Sequence, residues 1–404
     1  MPVSSNRTSP TAIRATPWVQ LKYFTYHPHV YPRMLGGVSD DARPGNLVAV
    51  YDKDGQRFGA GLFNPSARVP LRMLHHGQEA VDETFLESLL DRACDLRDTI
   101  PTLADPKSTD AFRVIHSDAD SLSGLVVDKY ADILCVEIHS LGVHQRIEKW
   151  LPRLHTRLGT KKATVRVDPA IARIEKIASP PSSGDAPPAV KIREHGIRFE
   201  VDFASGHKTG FFCDQRENRK MLGDWIARRG SATRVADLCC YTGGFSLAAR
   251  LLGGAEDVTG VDLDEKAVEQ AKRNANLNQA RVNWTHADAF VWARQMIANG
   301  EKWDAIILDP PKFVFDKEDV EGRLKYRDLN ALALQLAKPG ALFVTCSCSG
   351  QVSEEEFTDI VISAAHHRGR RLQFLARTGA GPDHPVLSNC PESRYLKLLW
   401  AKVW

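Results

Sequence analysis

Short apolar runs alternate with amphipathic segments throughout the second half of the chain. Runs rich in Val, Ile, Leu and Ala predict strands, and the intervening segments, such as residues 265–278, have the spacing of amphipathic helices. Strands that alternate with helices form a parallel sheet with right-handed crossovers. The strands predicted in this way are residues 234–238, 257–262, 282–285, 305–308 and 341–345.

The first part of the chain has a different pattern, with short strand-like runs separated by Gly, Pro and Asp turns. Residues 46–51 and 58–63 flank the string Asp52-Lys53-Asp54-Gly55, and Asp-Gly between two apolar runs is a strong hairpin signal. Residues 18–78 are therefore predicted to form a small β domain. The Ser-, Thr- and Pro-rich residues 1–17 are expected to be a mobile tail.

Residues 79–195 are predicted to form a small connecting α+β domain. It begins with an amphipathic helix at residues 82–99 and continues with short strands. Residues 178–190 are rich in Ser and Pro and are expected to be a flexible loop. Residues 196–404 contain the alternating strands and helices, so the fold class is α/β with two smaller N-terminal domains.

Composition changes this picture little. The chain has 404 residues, of which 43% are hydrophobic, which is enough for two or three domains that each bury a core. Lys and Arg total 53 against 50 for Asp and Glu, and the net charge of +3 neither requires nor excludes a nucleic-acid partner. Eight cysteines without a regular framework indicate reduced thiols.

The sequence also suggests where the protein works. No apolar run reaches the roughly 18 residues that a membrane span needs, so no membrane partner is expected. The N-terminus lacks the apolar core of a secretory signal, which favours a cytoplasmic protein. Arg7 and Arg14 precede the first acidic residue, Asp40, so an organellar transit peptide stays open as an alternative. The oligomeric state is open too, with a homodimer as one option.

Four aspartates lie at the ends of successive predicted strands. Asp237 precedes a turn that contains Gly243, where a missing side chain lets a ligand approach the backbone. Asp262 is suited to accept hydrogen bonds from ribose hydroxyls, and Asp288 to meet an adenine amino group. Asp309 ends the fourth strand. The G-x-G-x-x-G string of dinucleotide-binding proteins is absent, which disfavours a dinucleotide cofactor.

Residues 202–404 resemble the class I S-adenosylmethionine-dependent methyltransferases, whose sheet is Rossmann-like. The resemblance implies S-adenosylmethionine as the cofactor. It assigns Asp237 and the Gly243 turn to the methionine end, Asp262 to the ribose and Asp288 to the adenine. Further cofactor contacts are expected from Gln215, Tyr241 and Asp309.

Two cysteines, Cys346 and Cys348, follow the fifth predicted strand. Carbon 5 of cytosine is a poor nucleophile, but a thiolate that adds to carbon 6 makes carbon 5 enamine-like and able to take a methyl group. Simpler alternatives are buried small side chains or a metal site. No cysteine spacing fits zinc, so no metal is predicted. Strand alternation puts both cysteines on one face and does not choose between them.

The assembly as a whole closely resembles the bacterial large-subunit ribosomal RNA cytosine-5 methyltransferase I family. The resemblance implies methylation of cytosine in ribosomal RNA, with Cys348 as the nucleophile, Cys346 as the second choice, and Asp309 at the polar edge of the base. The matching strings are Gly206-His207-Lys208-Thr209-Gly210-Phe211-Phe212, Asp214-Gln215-Arg216, Tyr241-Thr242-Gly243-Gly244-Phe245, Asp309-Pro310-Pro311-Lys312-Phe313 and Ser347-Cys348-Ser349-Gly350.

Residues 18–77 resemble a PUA domain, a small β-barrel that binds structured RNA. His29 stands where that family usually has an aromatic residue after His-Pro, which weakens any stacking role there. The strings that carry the resemblance are His27-Pro28-His29-Val30, Pro44-Gly45-Asn46-Leu47-Val48 and Gly59-Ala60-Gly61-Leu62-Phe63-Asn64-Pro65. The candidates for phosphate contacts are Arg68, Arg72, His75 and His76.

Three other functions stay open from the residues alone, of which a small-molecule methyltransferase is disfavoured by the apparent RNA module. The Asp309-Pro310-Pro311 string also serves enzymes that methylate a guanine or adenine nitrogen without a cysteine nucleophile. Substitution of Cys348 would then leave turnover nearly intact. The second alternative is a non-catalytic RNA-binding ribosome assembly factor. Because a paired base cannot be reached inside a helix, protein-free or partly assembled RNA is the expected substrate form.

Overall fold

The computed structural model describes residues 14–178, 185–203 and 210–404. None of the helices in these ranges is both long and apolar enough to cross a membrane. The helices are α1 (Glu83–Asp98), α2 (Leu141–His144), α3 (Ile147–Leu158), α4 (Pro169–Glu175), α5 (Arg216–Arg229), α6 (Gly244–Leu251), α7 (Glu265–Leu277), α8 (Ala289–Ala298), α9 (Val320–Leu336) and α10 (Glu354–His366).

The strands form four sheets. The strands of the first part of the chain are β1 (Trp18–Leu21), β2 (His29–Val30), β3 (Leu35–Val38), β4 (Leu47–Tyr51), β5 (Arg57–Phe63), β6 (Leu71–His76), β7 (Ala111–His116), β8 (Leu125–Tyr130), β9 (Ile133–Ile138) and β10 (Lys162–Val167). Those of the second part are β11 (Ala189–Glu194), β12 (Ile197–Asp202), β13 (Arg234–Leu238), β14 (Asp257–Asp262), β15 (Asn283–His286), β16 (Trp303–Leu308), β17 (Ala337–Ser347), β18 (Leu372–Thr378) and β19 (Lys397–Val403).

The N-terminal sheet has the strand order β2-β6-β5-β4-β1-β3. The hairpin predicted around Asp52 is confirmed, because β4 and β5 pair antiparallel and the Asp52 carboxylate accepts the backbone N–H groups of Asp54 and Gln56. Residues 1–13 of the expected tail lie outside the described residues. The last part of that tail is ordered, since the Arg14 guanidinium lies 4.5 Å from the centre of the Trp18 ring.

The middle of the chain forms a four-stranded sheet of order β10-β9-β8-β7. Helix α1 begins where sequence predicts, because Asp82 caps it by accepting the N–H groups of Thr84 and Phe85. Leu86 and Leu90 on α1 and Trp150 on α3 are buried against this sheet in one cluster. The same cluster includes Leu62 and Leu74 of the N-terminal sheet, so this core extends across the junction, while other residues of that sheet form a second cluster around Val19 and Val50.

A hairpin of β11 and β12 joins the middle sheet to the C-terminal part. Ile192 and Phe199 on the hairpin pack with Tyr130 of β8 on one side and Ala275 of α7 on the other. The domain boundary predicted between residues 195 and 196 falls in the turn of this hairpin. Residues 179–184 of the expected flexible loop lie outside the described residues, and β11 begins at Ala189.

The C-terminal sheet has the order β15-β14-β13-β16-β17-β19-β18. Its first five strands are parallel, whereas β19 runs antiparallel to both β17 and β18. All five strands predicted here are present, and β13 and β14 have the predicted bounds. The antiparallel pair was missed, because the apolar run of β19 is buried on both faces and lacks a two-residue alternation.

A network of buried ion pairs connects the middle domain to the C-terminal part. Arg216 donates to both oxygens of Asp383 at 3.0 and 2.9 Å, and neither side chain is exposed. The backbone N–H of Arg113 donates to the same carboxylate at 2.9 Å. Arg97 binds Asp120 and also donates to the Asp383 carbonyl oxygen at 2.7 Å. Arg216 begins α5, so the network fixes the start of that helix.

Candidate active site

A pocket opens at the edge where the parallel strands have their carboxyl ends, as expected for such sheets. Its empty space, with the open solvent at its mouth included, is about 360 Å³. Of the residues predicted for the site, Gln215, Tyr241 and Asp309 line this pocket. The full lining consists of Phe211, Phe212, Gln215, Arg219, Cys239, Cys240, Tyr241, Thr242, Gly244, Phe245 and Asp309.

Asp237 lies in β13 and is completely buried next to the pocket. Its Oδ2 accepts hydrogen bonds from the backbone N–H and the hydroxyl of Ser246, at 2.9 and 2.7 Å. Its Oδ1 is buried and has no partner among the described residues. Burial raises the pKa of Asp237 to about 7, against the opposing effect of the Ser246 hydrogen bonds. The carboxyl group can therefore take one more donor, and a cationic donor would favour its ionised form.

The turn after β13 is strained. Cys239 and Tyr241 both have left-handed backbone conformations, with φ of 63° and 48°. Each such residue costs about 1–3 kcal/mol, and the strain has to be held by the surroundings. Here the Tyr241 N–H donates to Oδ2 of Asp262 at 2.7 Å, and the Cys240 N–H donates to the Val261 carbonyl at 3.0 Å. The tip of β14 thus holds the turn that forms the pocket wall.

Gly243 has a reason of its own to be glycine. Its φ is +86°, and a Cβ at this position would lie 2.5 Å from the Trp284 ring. A Cβ at Gly260 would lie 2.4 Å from the same ring. The sequence suggested close approach of a ligand to Gly243, but in the structure the Trp284 ring occupies the space into which a side chain at this position would project.

Asp262 and Asp288 already make backbone hydrogen bonds. Oδ1 of Asp262 accepts the N–H of Asp264 at 2.9 Å, while its Oδ2 holds Tyr241. Asp288 caps α8 by accepting the Val291 N–H at 3.0 Å. An ionised carboxylate has about four acceptor sites, so both groups keep capacity for a ligand.

All four predicted aspartates surround one side chain, Cys239. Burial raises the pKa of this thiol far above its usual value, and the charges of Asp262, Asp309, Asp237 and Asp288 raise it further. The four carboxyl groups, far apart in sequence, therefore converge on one place. The four carboxyl groups give the site an acidic character that suits a positively charged ligand, since the one arginine of the pocket lining, Arg219, is already paired with Glu194. Sequence reasoning gave Cys239 no role, because only the fold brings the four groups around it.

Asp309 meets Gln215 and Cys346 at the base of the pocket. Gln215 Nε2 donates to Asp309 Oδ2 at 3.0 Å. Desolvation raises the pKa of Asp309 to about 7, and the negative charges of Asp214 and Asp237 add to the shift. Cys346 is fully buried and hydrogen-bonds with Gln215 and Asp309, and burial keeps the pKa of its thiol far above the usual value. Cys346 is therefore a fully buried thiol whose neutral form is favoured.

Cys348 is the first residue after β17 and is only partly buried. It is not among the side chains that line the pocket. The buried amine of Lys397, on β19, donates to the carbonyl oxygens of Ser349 and Val352, both at 2.6 Å. These bonds fix the turn that carries Cys348. Burial lowers the pKa of Lys397 to about 8, and the charge of Cys348 opposes this shift. Lys397 is thus a cation close to the thiol, and sequence reasoning missed it.

Arg216 and Arg219 on α5 are buried and paired, although arginines at this spacing are compatible with a solvated helix face. Arg216 is buried against Asp383. Arg219 is paired with the buried Glu194 at 2.5 Å, and its guanidinium lies 4.9 Å from the centre of the Phe211 ring in the pocket wall. No local pattern could show these pairs, because both partners are remote in sequence.

The candidates for phosphate contacts are mostly turned inward. Arg72 donates to the His139 carbonyl at 3.3 Å and lies 3.5 Å from the buried Glu175. His29 lies 3.1 Å from Asp118 of the middle domain. Burial and the neighbouring His75 lower the pKa of His76, which leaves its ring neutral. Arg68 alone of the four candidates is exposed. Any RNA surface of this domain must therefore use other side chains as well.

Comparison with solved structures agrees with this fold. A methyltransferase crystallised with SAH has 22% sequence identity and a TM-score of 0.76, with 90% of this chain and 93% of that chain covered. A structure described as a SAM-dependent methyltransferase from Streptococcus mutans has 20% identity and a TM-score of 0.77, with 95% and 100% covered. The likeness extends over nearly the whole chain, so the N-terminal and middle domains belong to the shared architecture.

Sequence comparison identifies the family. Residues 177–398 match the profile of S-adenosylmethionine-dependent methyltransferases, and residues 21–76 match that of PUA-like domains. The ribosomal RNA large subunit methyltransferase I of Klebsiella pneumoniae is 33% identical over 379 residues, which cover 92% of this chain and 93% of that protein. The protein of the same name from Salmonella arizonae is 33% identical, with 92% of each chain covered. The chain is an S-adenosylmethionine-dependent methyltransferase and belongs to the ribosomal RNA large subunit methyltransferase I family.

Proposed function

We propose that this enzyme forms 5-methylcytosine in large-subunit ribosomal RNA, that it acts in the cytoplasm, and that Cys348 is its nucleophile. The substrate class comes from the names of its relatives. The single observation that carries the chemistry is the position of a partly buried thiol, Cys348, beside the buried amine of Lys397. A cation next to a cysteine favours the reactive thiolate.

The acidic pocket supports binding of S-adenosylmethionine. This cofactor has a sulfonium and an ammonium group against one carboxylate, so its net charge is positive. The unpartnered Oδ1 of Asp237 suits the ammonium group, Asp262 would hold the ribose, and Asp288 the adenine. Gln215 and Tyr241 line the space between them. The backbone of the Gly243 turn completes the wall at the methionine end.

Bound in this pocket, the cofactor supplies an electrophilic methyl group. The thiolate of Cys348 adds to carbon 6 of cytosine and makes carbon 5 nucleophilic. Carbon 5 would then form a bond to the methyl carbon while the bond between that carbon and the sulfonium sulfur breaks, which leaves S-adenosylhomocysteine. A general base then removes the proton from carbon 5. The electron pair of that C–H bond restores the carbon 5–carbon 6 double bond, the sulfur–carbon 6 bond breaks, and Cys348 returns to its thiolate form.

Asp309 is suited to hold the target base. A carboxyl group with a pKa of about 7 exists in both protonation states at neutral pH. The protonated form donates a hydrogen bond to a ring nitrogen, and the ionised form accepts one from an exocyclic amine. Gln215 fixes the orientation of Asp309 through the 3.0 Å hydrogen bond to Oδ2.

The test is mass spectrometry of nucleosides from unmodified ribosomal RNA after incubation with the protein and labelled S-adenosylmethionine. We expect a 5-methylcytidine peak that Cys348→Ala abolishes. The matched control is Cys346→Ala, which removes the buried neutral thiol and should keep the product. A methylguanosine or methyladenosine peak that survives Cys348→Ala would refute the cysteine mechanism and support methylation of a base nitrogen. If no RNA received a labelled methyl group, the result would favour the alternative function, a non-catalytic RNA-binding assembly factor.

A further inference from the structure

The N-terminal domain presents a group of aromatic side chains that its core does not use. The rings of Phe24, Tyr26, Phe58 and His76, which we term the aromatic patch, are in mutual contact. Phe24 packs edge-on against Tyr26 at 4.8 Å between ring centres and against Phe58 at 5.1 Å. His76 lies 5.4 Å from both Tyr26 and Phe58. Phe58 and His76 stand on β5 and β6, so a sheet supports the patch.

Much of the patch is open to solvent. Phe24 is 62% exposed and Tyr26 is 55% exposed, and the preceding Tyr23 is 60% exposed. Folding does not bury these rings, and contiguous exposed apolar surface of this kind usually marks an interaction site. The lowered pKa of His76 keeps its ring uncharged, so it can pack as an aromatic side chain.

The chain segment that carries Phe24 and Tyr26 is basic, which favours a polyanion over an apolar protein surface as its partner. Residues 14–39 contain Arg14, Lys22 and Arg33 and no Asp or Glu. Lys22 and Arg33 are exposed. Aromatic rings flanked by basic side chains are typical of surfaces that bind single-stranded nucleic acid, where bases stack on the rings and cations attract the phosphates.

The patch is connected to the active site by one segment of chain. Asn389 donates to the carbonyl oxygen of Tyr26. His27 lies 3.2 Å from Glu392, and its Nδ1 accepts the backbone N–H of His29, so Nε2 is the protonated nitrogen that donates to Glu392. Tyr395, further along the same segment, donates to Asp214 at 2.5 Å, directly before Gln215 in the pocket.

We propose that the aromatic patch stacks unpaired bases of the substrate RNA outside the target nucleotide. The proposal rests on the proposed function, since it names the surface that holds the same substrate. The His29 ring is held against Asp118 at 3.1 Å, whereas the Phe24 and Tyr26 rings are exposed to solvent. Loss of one stacked base weakens binding by about 5- to 150-fold.

The test uses the full-length protein and a labelled single-stranded RNA oligonucleotide of mixed sequence, with fluorescence anisotropy as the readout. We expect Phe24→Ala/Tyr26→Ala to raise the Kd for this RNA at least tenfold. Tyr26→Phe keeps the ring and should bind normally. Trp404→Ala is the matched control, because Trp404 is 48% exposed at the far end of the C-terminal sheet. Unchanged S-adenosylhomocysteine binding and melting temperature would show that the double variant is folded.

Normal RNA binding by the double variant would overturn the proposal. If that variant had also lost self-association in sedimentation experiments, the patch would instead be a surface that joins two copies of the chain. Methylation of ribosomal RNA by the wild-type protein separates the two ideas. If the wild type methylates RNA and the double variant binds RNA normally, only the patch proposal fails. If the wild type neither methylates nor binds RNA, the proposed function fails with it.

Discussion

The buried carboxyl group of Asp237 predicts that cofactor affinity depends on pH. Its pKa is about 7 in the free protein, and the ammonium group of the cofactor would bind its ionised form. Binding therefore removes a proton from part of the population, and affinity should rise with pH up to about 7 and level off above it. The perturbations are pH itself and the substitution Asp237→Asn, which keeps the Ser246 hydrogen bonds but removes the charge.

The size of the effect follows from the pKa. Well below pH 7 the ionised fraction falls about tenfold per pH unit, so the Kd should rise about tenfold from pH 6 to pH 5. At pH 7 about half of the Asp237 groups are protonated, so binding should release about half a proton. Asp237→Asn loses a charged hydrogen bond worth about 1.5–3 kcal/mol. That loss corresponds to an affinity lower by about 10- to 150-fold at pH 8.

Isothermal titration calorimetry with S-adenosylhomocysteine measures the Kd and the number of protons released on binding. The proton number follows from the heat of binding in buffers of different ionisation enthalpy. The matched control is Asp359→Asn, which removes an exposed carboxyl group outside the pocket lining and should leave proton release in place. A Kd that is the same at pH 5.5 and 7.5 would refute the reasoning. Proton release that persists in Asp237→Asn would assign the titration to another group.

Three further predictions concern the scaffold and the thiol. Asp383→Asn removes the fully buried counter-charge of Arg216, which keeps only the partly exposed Glu217 at 3.1 Å, and should cost about 3–5 kcal/mol, a fall in melting temperature of about 5–10 °C; an equal effect of the exposed Asp359→Asn in the same thermal scan would contradict this. Gly243→Ala should destabilise the protein by about 2–5 kcal/mol in urea unfolding, from its φ and the 2.5 Å approach to Trp284, and a shift below about 0.5 kcal/mol would show that the turn relaxes. Lys397→Met should move the pH–activity curve to higher pH by about one unit, because the thiolate loses its cation; a curve that only drops in height would mean a purely structural role.

Much of the C-terminal fold could be predicted from sequence because its signals are local. The apolar runs of β13 and β14 have the predicted bounds, and the aspartates that follow the parallel strands meet at one edge, as the topology requires. The hairpin around Asp52 follows from its turn residues alone. In each case a few neighbouring residues specify the structure.

Other parts could not be predicted because they depend on remote partners. Arg216 and Asp383 are 167 positions apart, and Arg219 and Glu194 are 25 apart in different elements. Neither pair produces a periodic pattern in the sequence. From the sequence alone, both arginines are therefore as compatible with a solvent-exposed helix face as with a buried ion pair. Lys397 is the first residue of the largely apolar strand β19, and its role depends on the Ser349 and Val352 carbonyls that the fold brings to it.

The buried ion-pair network also limits how this protein can diverge. The Asp383 carboxylate accepts hydrogen bonds from the backbone N–H of Arg113 in the middle domain and from the guanidinium of Arg216 in the catalytic domain. A substitution of Asp383 therefore removes contacts on both sides of the junction between these domains. The two parts must therefore evolve as one unit, by compensating changes on both sides. Exchange of the middle domain between relatives should succeed only when the donor also supplies the residues that meet Asp383. A fragment that begins at residue 196 would lack β11 and Glu194 and leave Arg219 unpaired.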